Sequence, residues 1–155
     1  MGFNEYRFKV AIGPVWSSWG FRHWNLLFGS EMIVPYPYKM REVVWLLTNY
    51  YFKRFDADPG MQVRKEALAG VSLEHFMRER DAHRIDASMI KRVEMVSSYM
   101  QNRVRLVAHG GTKQTYTILN RGLTDTYRQA LQELYPEKYI ELNFPTTKLG
   151  KILKR

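Results

Sequence analysis

The chain has 155 residues, 45% of them apolar, a formal charge of +9 and no cysteine. That size suits one domain with a modest core, and the missing thiols exclude disulfides, zinc ribbons, iron–sulfur ligation and thiol catalysis. No window reaches the roughly 18 consecutive apolar residues of a membrane-spanning helix, while the cationic balance favours a polyanionic partner or acidic neighbours in an assembly.

Met1–Val10 lacks the continuous apolar stretch of a secretory signal, and Glu5 interrupts any Arg- and Ser-rich transit helix. Residues 1–22 mix aromatics with glycine: Phe3, Tyr6 and Phe8, then Gly13-Pro14, Trp16, Trp19, Gly20 and Phe21. They read as an extended arm, lying on its own core or in a partner's groove. The alternation Tyr6/Phe8/Val10/Ile12 also fits a short strand.

The stretch from His23 to Phe55 carries the strongest apolar pattern and reads as the hub of the fold. Pro35 and Pro37 impose an extended turn. From Lys39 a helix is predicted, with Met40, Val43, Val44, Leu47 and Tyr51 on one face. Trp45 and Phe52 widen that face, so the helix is expected to be buried on two sides and to stop by Asp56. Asp58-Pro59-Gly60 then reads as a cap with proline in the first helical position. A short helix follows to about Ala69 and ends at Gly70. Ser72 caps a charged segment anchored by Phe76 and Met77.

The longest helix is predicted from Asp86. Met89, Val93, Val96, Met100, Val104 and Val107 recur at steps of three and four, a near-heptad stripe that Gly110-Gly111 would stop. Thr112–Asn120 reads as strand or frayed helix. Thr124 caps a helix with Tyr127, Ala130, Leu131 and Leu134 on one side, stopped at Pro136. Tyr139–Phe144 alternates like a short strand. The fold expected is mainly α: an arm over 1–22, a helical domain over 23–144 with short strands near 115–119 and 139–144, and a basic tail over 145–155.

No catalytic constellation is visible, and neither a metal nor a cofactor is expected. His75 and His83 are too far apart for a zinc helix and no HExxH occurs; His109-Gly110-Gly111 has no GxSxG turn to accompany it. Asp56 and Asp58 fit loop and capping roles. The cations carry more signal. Arg78, Arg80, Arg84, Lys91, Arg92, Arg103 and Arg105, with Lys148, Lys151, Lys154 and Arg155 in the tail, are the candidate RNA-binding residues. Such side chains neutralise phosphates and displace counterions without reading sequence. Trp16, Trp19, Phe21, Trp24, Tyr36 and Tyr38 are the candidate partner-docking residues, because Trp and Tyr are enriched at interfaces.

Leu27-Phe28-Gly29, Pro35, Lys39 and Val43-Val44 resemble the N-terminal signature of the mitochondrial small-subunit ribosomal protein family numbered thirty-three. That signature is a Phe-Gly turn, a nearby proline, a basic residue and an apolar helix. The likeness covers about residues 27–44, needs a one-residue insertion before Pro35, and lacks the family's Lys/Gly-rich C-terminal tail. It implies a non-catalytic structural subunit in the mitochondrial matrix, contacting ribosomal RNA and neighbouring ribosomal proteins. The alternative is a peripheral, matrix-side accessory subunit of a respiratory-chain or ATP-synthase complex.

Overall fold

Where one long helix was expected, Ile90–Ser98 and Asn102–Ala108 form two antiparallel strands. The computed structural model of the chain describes residues 7–17, 22–49, 58–70, 74, 77–78 and 82–144. Its strands are β1 Val10–Ser17, β2 Arg22–Phe28, β3 Met32–Pro37, β4 Ile85–Asp86, β5 Ile90–Ser98, β6 Asn102–Ala108, β7 Lys113–Ile118 and β8 Tyr139–Phe144. The helices are α1 Met40–Asn49, α2 Met61–Ala69 and α3 Thr124–Leu134. The strands make one sheet in the order β4-β3-β2-β1-β7-β6-β5-β8, antiparallel throughout except where β8 joins β5. The mainly-α expectation is therefore overturned: the described residues are mostly sheet.

The physical reason lies in the β5–β6 segment. Its apolar residues do fall at helical steps, but Ile90, Val93, Val96, Val104 and Val107 are β-branched and suit a pleated strand better than a helix. Alternation within each half decides the matter. Val93 and Met95 enter the core beside Val104 and Leu106, whereas Arg103 and Arg105 occupy the opposite face. Met89 and Met100 of the supposed stripe are exposed. The hairpin closes where Ser98 N–H donates to the Gln101 carbonyl at 2.9 Å. Gly110-Gly111, expected to stop a helix, turns β6 into β7, with Gly111 at φ 91°. That left-handed conformation costs a side-chain-bearing residue energy and glycine none.

The arm is also corrected. Val10–Ser17 lies between β2 and β7 in mid-sheet, with Val10, Ile12 and Val15 in the core. The register is irregular between Ile12 and Val15, where the Gly13–Pro14 peptide is cis; such an irregularity lets a proline sit inside a sheet. Pro35 and Pro37 are strand residues too. In the β2–β3 ladder Tyr38 N–H donates to the His23 carbonyl, so alternate residues Pro35 and Pro37 face away from β2. They lie beyond the short β4, which pairs only with Met32 and Ile33, so no described strand requires their missing N–H groups.

Two apolar clusters sandwich the sheet. On the inner face Trp24, Leu26, Phe28, Val93, Met95, Leu106 and Tyr116 pack with Tyr127 and Leu131 of α3. On the outer face of β1–β3, Leu27, Val34 and Tyr36 pack under Val63 and Ala67 of α2. Helix α1 begins where the pattern indicated but is not buried on two sides. Only Leu46 is buried, and Met40, Val44 and Leu47 of the expected core face are exposed. Amphipathicity chooses the face a helix would bury; the rest of the fold must supply the surface. No helix among the described residues is long and apolar enough to cross a membrane.

Candidate nucleic-acid interface

Strand alternation gives β5, β6 and β7 an outer face with a different composition from their core face. Arg92 on β5 stands opposite Val107, Glu94 opposite Arg105, and Val96 opposite Arg103. On the next strand Arg103 meets Thr117, Arg105 meets Thr115, and Val107 meets Lys113. Arg92, Arg103, Arg105 and Lys113 thus share one face with two threonines and a single acid. Trp16 extends the row onto β1 through its pairing with Thr117 and is half-buried.

The single acid, Glu94, is buried between two guanidiniums, 3.4 Å from Arg92 Nε and 3.4 Å from Arg105 Nη1. A buried carboxylate needs such partners to offset its desolvation. Arg92 and Arg105 therefore hold Glu94 in place and together leave one surplus positive charge. Arg103 differs in making no ion pair among the described residues; its Nε, like that of Arg92, is buried with no hydrogen-bond partner. Lys113 is exposed. A planar guanidinium without a counter-ion is suited to bidentate capture of a phosphate. Nearby threonine hydroxyls supply neutral donors.

The outer face of β1–β3 contains the other polar centre, and it is closed. Asp58 lies beneath the start of α2, its Oδ1 accepting from Gly60 N–H at 2.9 Å and its Oδ2 2.7 Å from Arg64 Nη1. The Tyr38 hydroxyl lies 3.1 Å from Asp58 Oδ1, and Arg64 Nη1 donates to Asn25 Oδ1 at 2.8 Å. Asn25 Nδ2 in turn donates to the Gly60 carbonyl at 3.2 Å. Burial, followed by the charge of Asp58, holds the Tyr38 phenol well above its usual range. Glycines leave the room: a Cβ on Gly60 would come 1.9 Å from the Tyr38 hydroxyl, and one on Gly13 would come 2.0 Å from Asn25 Oδ1. With its polar atoms engaged and its volume filled, this cluster is a latch that pins α2 to the sheet. It offers no reacting atom to a substrate.

The candidate residues separate accordingly. The structure brings Arg92, Arg103 and Arg105 together; Lys91 is exposed at the register irregularity of β5. Arg84 pairs with Asp86 at 3.0 Å on the rim of a cleft of about 270 Å³ floored by Ile85, Ile90 and Leu106, away from the arginine face. Arg78 is exposed and paired with Glu74 one helical turn away. Arg80, Lys148, Lys151, Lys154 and Arg155 lie outside the described residues, as do Trp19 and Phe21.

Three of the partner-docking residues are interior instead. Trp24 is in the core, donating from Nε1 to Ser17 Oγ at 2.8 Å. Tyr36 packs beneath α2, and Tyr38 belongs to the latch. The polar tips of Trp24 and Tyr38 found partners inside the fold, which is the other use of a large amphipathic ring. Sequence reasoning missed Asn25, Arg64 and Glu94. For Asn25 the available signal was a lone amide among the apolar residues of β2; Arg64 and Glu94 stand beside other charged residues and carried no such signal. No group of three or more metal-ligating side chains occurs among the described residues.

Comparison with known proteins is silent: no family model matches the chain, and no curated protein matches its sequence.

Proposed function

We propose that the protein is a non-catalytic, RNA-contacting subunit of a larger assembly, laying the outer face of β5–β7 against phosphate. The observation that carries this reading is the arrangement of Arg92, Arg103, Arg105 and Lys113 on three adjacent strands around one neutralised acid. Guanidiniums and hydroxyls there recognise phosphate without reading bases, so affinity is electrostatic and falls with salt. The closed latch fits the same role, since a scaffold needs a rigid sheet rather than a reactive pocket.

The test is anisotropy titration of an unstructured RNA oligonucleotide against salt, comparing the native chain with Arg103→Glu/Lys113→Glu. Arg105 is left intact because Glu94 depends on it. The variant is expected to bind about tenfold or more weakly near physiological salt, with the log–log salt slope lowered by about 0.7 for each phosphate of the single strand that is no longer neutralised. Equal binding by both proteins would remove this face from the proposal.

The resemblance over residues 27–44 points to the mitochondrial small ribosomal subunit as the assembly. Sedimentation from organelle lysate with and without RNase tests that: a ribosome-sized peak should collapse on digestion. One observation favours the second reading, a peripheral subunit of a membrane complex held by protein contacts alone. It is the exposed apolar side of α1, Met40, Val44 and Leu47. An RNase-indifferent heavy peak would put it first.

A further inference from the structure

The two edges of the sheet are built differently. At one end β4 has only two residues, and beyond it Pro35 and Pro37 occupy the β3 positions whose N–H groups would point outward. Short strands and prolines are the usual means of preventing edge-to-edge pairing. At the other end β8 runs for six residues, YIELNF, with neither proline nor lysine. Its outer edge pairs with nothing among the described residues. Ile140 and Phe144 are exposed on it, and Leu142 between them is half-buried.

The ladder shows which backbone groups are free to pair. Val93 N–H donates to the Lys138 carbonyl, and Val93 is in register with Tyr139. In a parallel pair this turns the N–H and C=O of Ile140, Leu142 and Phe144 toward β5, and those of Glu141 and Asn143 away from it. We infer that β8 pairs antiparallel with β8 of a second copy of this chain, about a two-fold axis through Leu142. In that register Glu141 of each copy exchanges both backbone hydrogen bonds with Asn143 of the other. On the outer face Leu142 meets Leu142, and Ile140 meets Phe144, forming an unbroken apolar seam. A two-fold register centred on Glu141 sets opposite each other two carboxylates that Arg128 of each copy already pairs at 2.9 Å, and it breaks the seam by placing Phe144 opposite Lys138; one centred on Asn143 leaves Ile140 without a mate in the strand. A two-fold contact of this kind is self-complementary and closes at two copies.

The pairing goes beyond the RNA reading and stands without it. The two-fold axis is perpendicular to the sheet, so both arginine faces lie on one side of it, flanking the seam. A six-residue edge is a small interface, so micromolar, reversible dimerisation is expected.

The lack of native cysteine provides a register-specific test. Leu142 and its two-fold mate form a non-hydrogen-bonded pair with Cα atoms about 4.5 Å apart, within disulfide range. The full chain with Leu142→Cys should cross-link to a dimer under mild oxidation, and Ile140→Cys should not. Asn143→Pro removes an outward N–H that β5 does not use; sedimentation equilibrium should find this variant monomeric at concentrations where the native chain dimerises. A native chain that stays monomeric up to hundreds of micromolar overturns the inference. Cross-linking by Glu141→Cys in place of Leu142→Cys overturns it as well. Loss of RNA affinity in Arg103→Glu/Lys113→Glu leaves these readouts untouched, so the two proposals fail separately.

Discussion

The outer face of β1–β3 and the outer face of β5–β7 belong to one sheet, yet they solve opposite problems. The first is sealed: Leu27, Val34 and Tyr36 lie under α2, and its polar groups are satisfied by the Asn25–Tyr38–Asp58–Arg64 latch. The second is studded with arginines, only two of which are used internally, on Glu94. Cations are therefore not equivalent in this protein. Arg64 is a structural group with a buried counter-ion, whereas Arg103 has no counter-ion among the described residues. Composition alone, +9 over the whole chain, assigns them the same role.

The largest effect should come from breaking the sealed side. Arg64→Ala strands the Asp58 carboxylate in the interior, and removing one partner of a buried pair costs about 3–5 kcal/mol. Urea denaturation should show that loss, and the folded fraction should keep its RNA affinity. A loss below about 1 kcal/mol, the range of exposed pairs, would mean that the latch is open to water. Tyr38→Phe is expected to cost about 1–3 kcal/mol, because the buried carboxylate loses a donor.

Tyr38 also supplies a pH signature. Its phenol is held protonated above the ordinary value of 10.0, by burial first and by Asp58 second. The unfolded chain ionises first, so this stabilisation is complete below pH 10.0 and is lost as the pH rises beyond it. Denaturation midpoints between pH 9 and 11 should fall less steeply in Tyr38→Phe, with a residual slope from Tyr116, Tyr127 and Tyr139, whose phenols are also raised. His23 works at the other end. Burial lowers its imidazole below the ordinary 6.5, so its contribution is present above that pH and lost as the pH falls. His23→Gln should flatten the acid limb.

Smaller effects test the exposed side. Gly111→Ala forces a side chain into φ 91° and should cost about 1–2 kcal/mol, whereas its neighbour Gly110→Ala, with open space around the added methyl, should be close to neutral. Least of all, Arg103→Glu/Lys113→Glu should change stability by no more than about 0.5 kcal/mol, since neither residue makes an ion pair among the described residues. A large loss of stability in that variant would show that this face is structural too, and the contrast between the two faces would collapse.

Local chemistry made several elements legible in advance. Helix α3, from Thr124 to the stop before Pro136, and the start of α1 follow from periodicity and breakers; β8 follows from alternation. The basic character of Arg92, Arg103 and Arg105 was equally plain, though their gathering on one face was not. For that, β5 and β6 must be recognised as a hairpin, and the spacing of Val93, Val96, Met100, Val104 and Val107 at steps of three and four obscured it. Two strands joined by a short turn can place valines at helical steps by coincidence. What distinguishes them is the pairing of Val93 with Leu106 and Met95 with Val104, a relation between distant residues.

The sequence by itself determined the exclusions that follow from lacking cysteine, the excess of positive charge, and the bounds of α2 and α3 with the start of α1, because these depend on single residues and near neighbours. The tertiary structure alone decided which aromatic rings are core, which arginine meets a buried acid and which edge of the sheet is left unblunted. Those outcomes depend on which strand lies beside which, and hydrogen-bond register across the sheet is a property of no single segment.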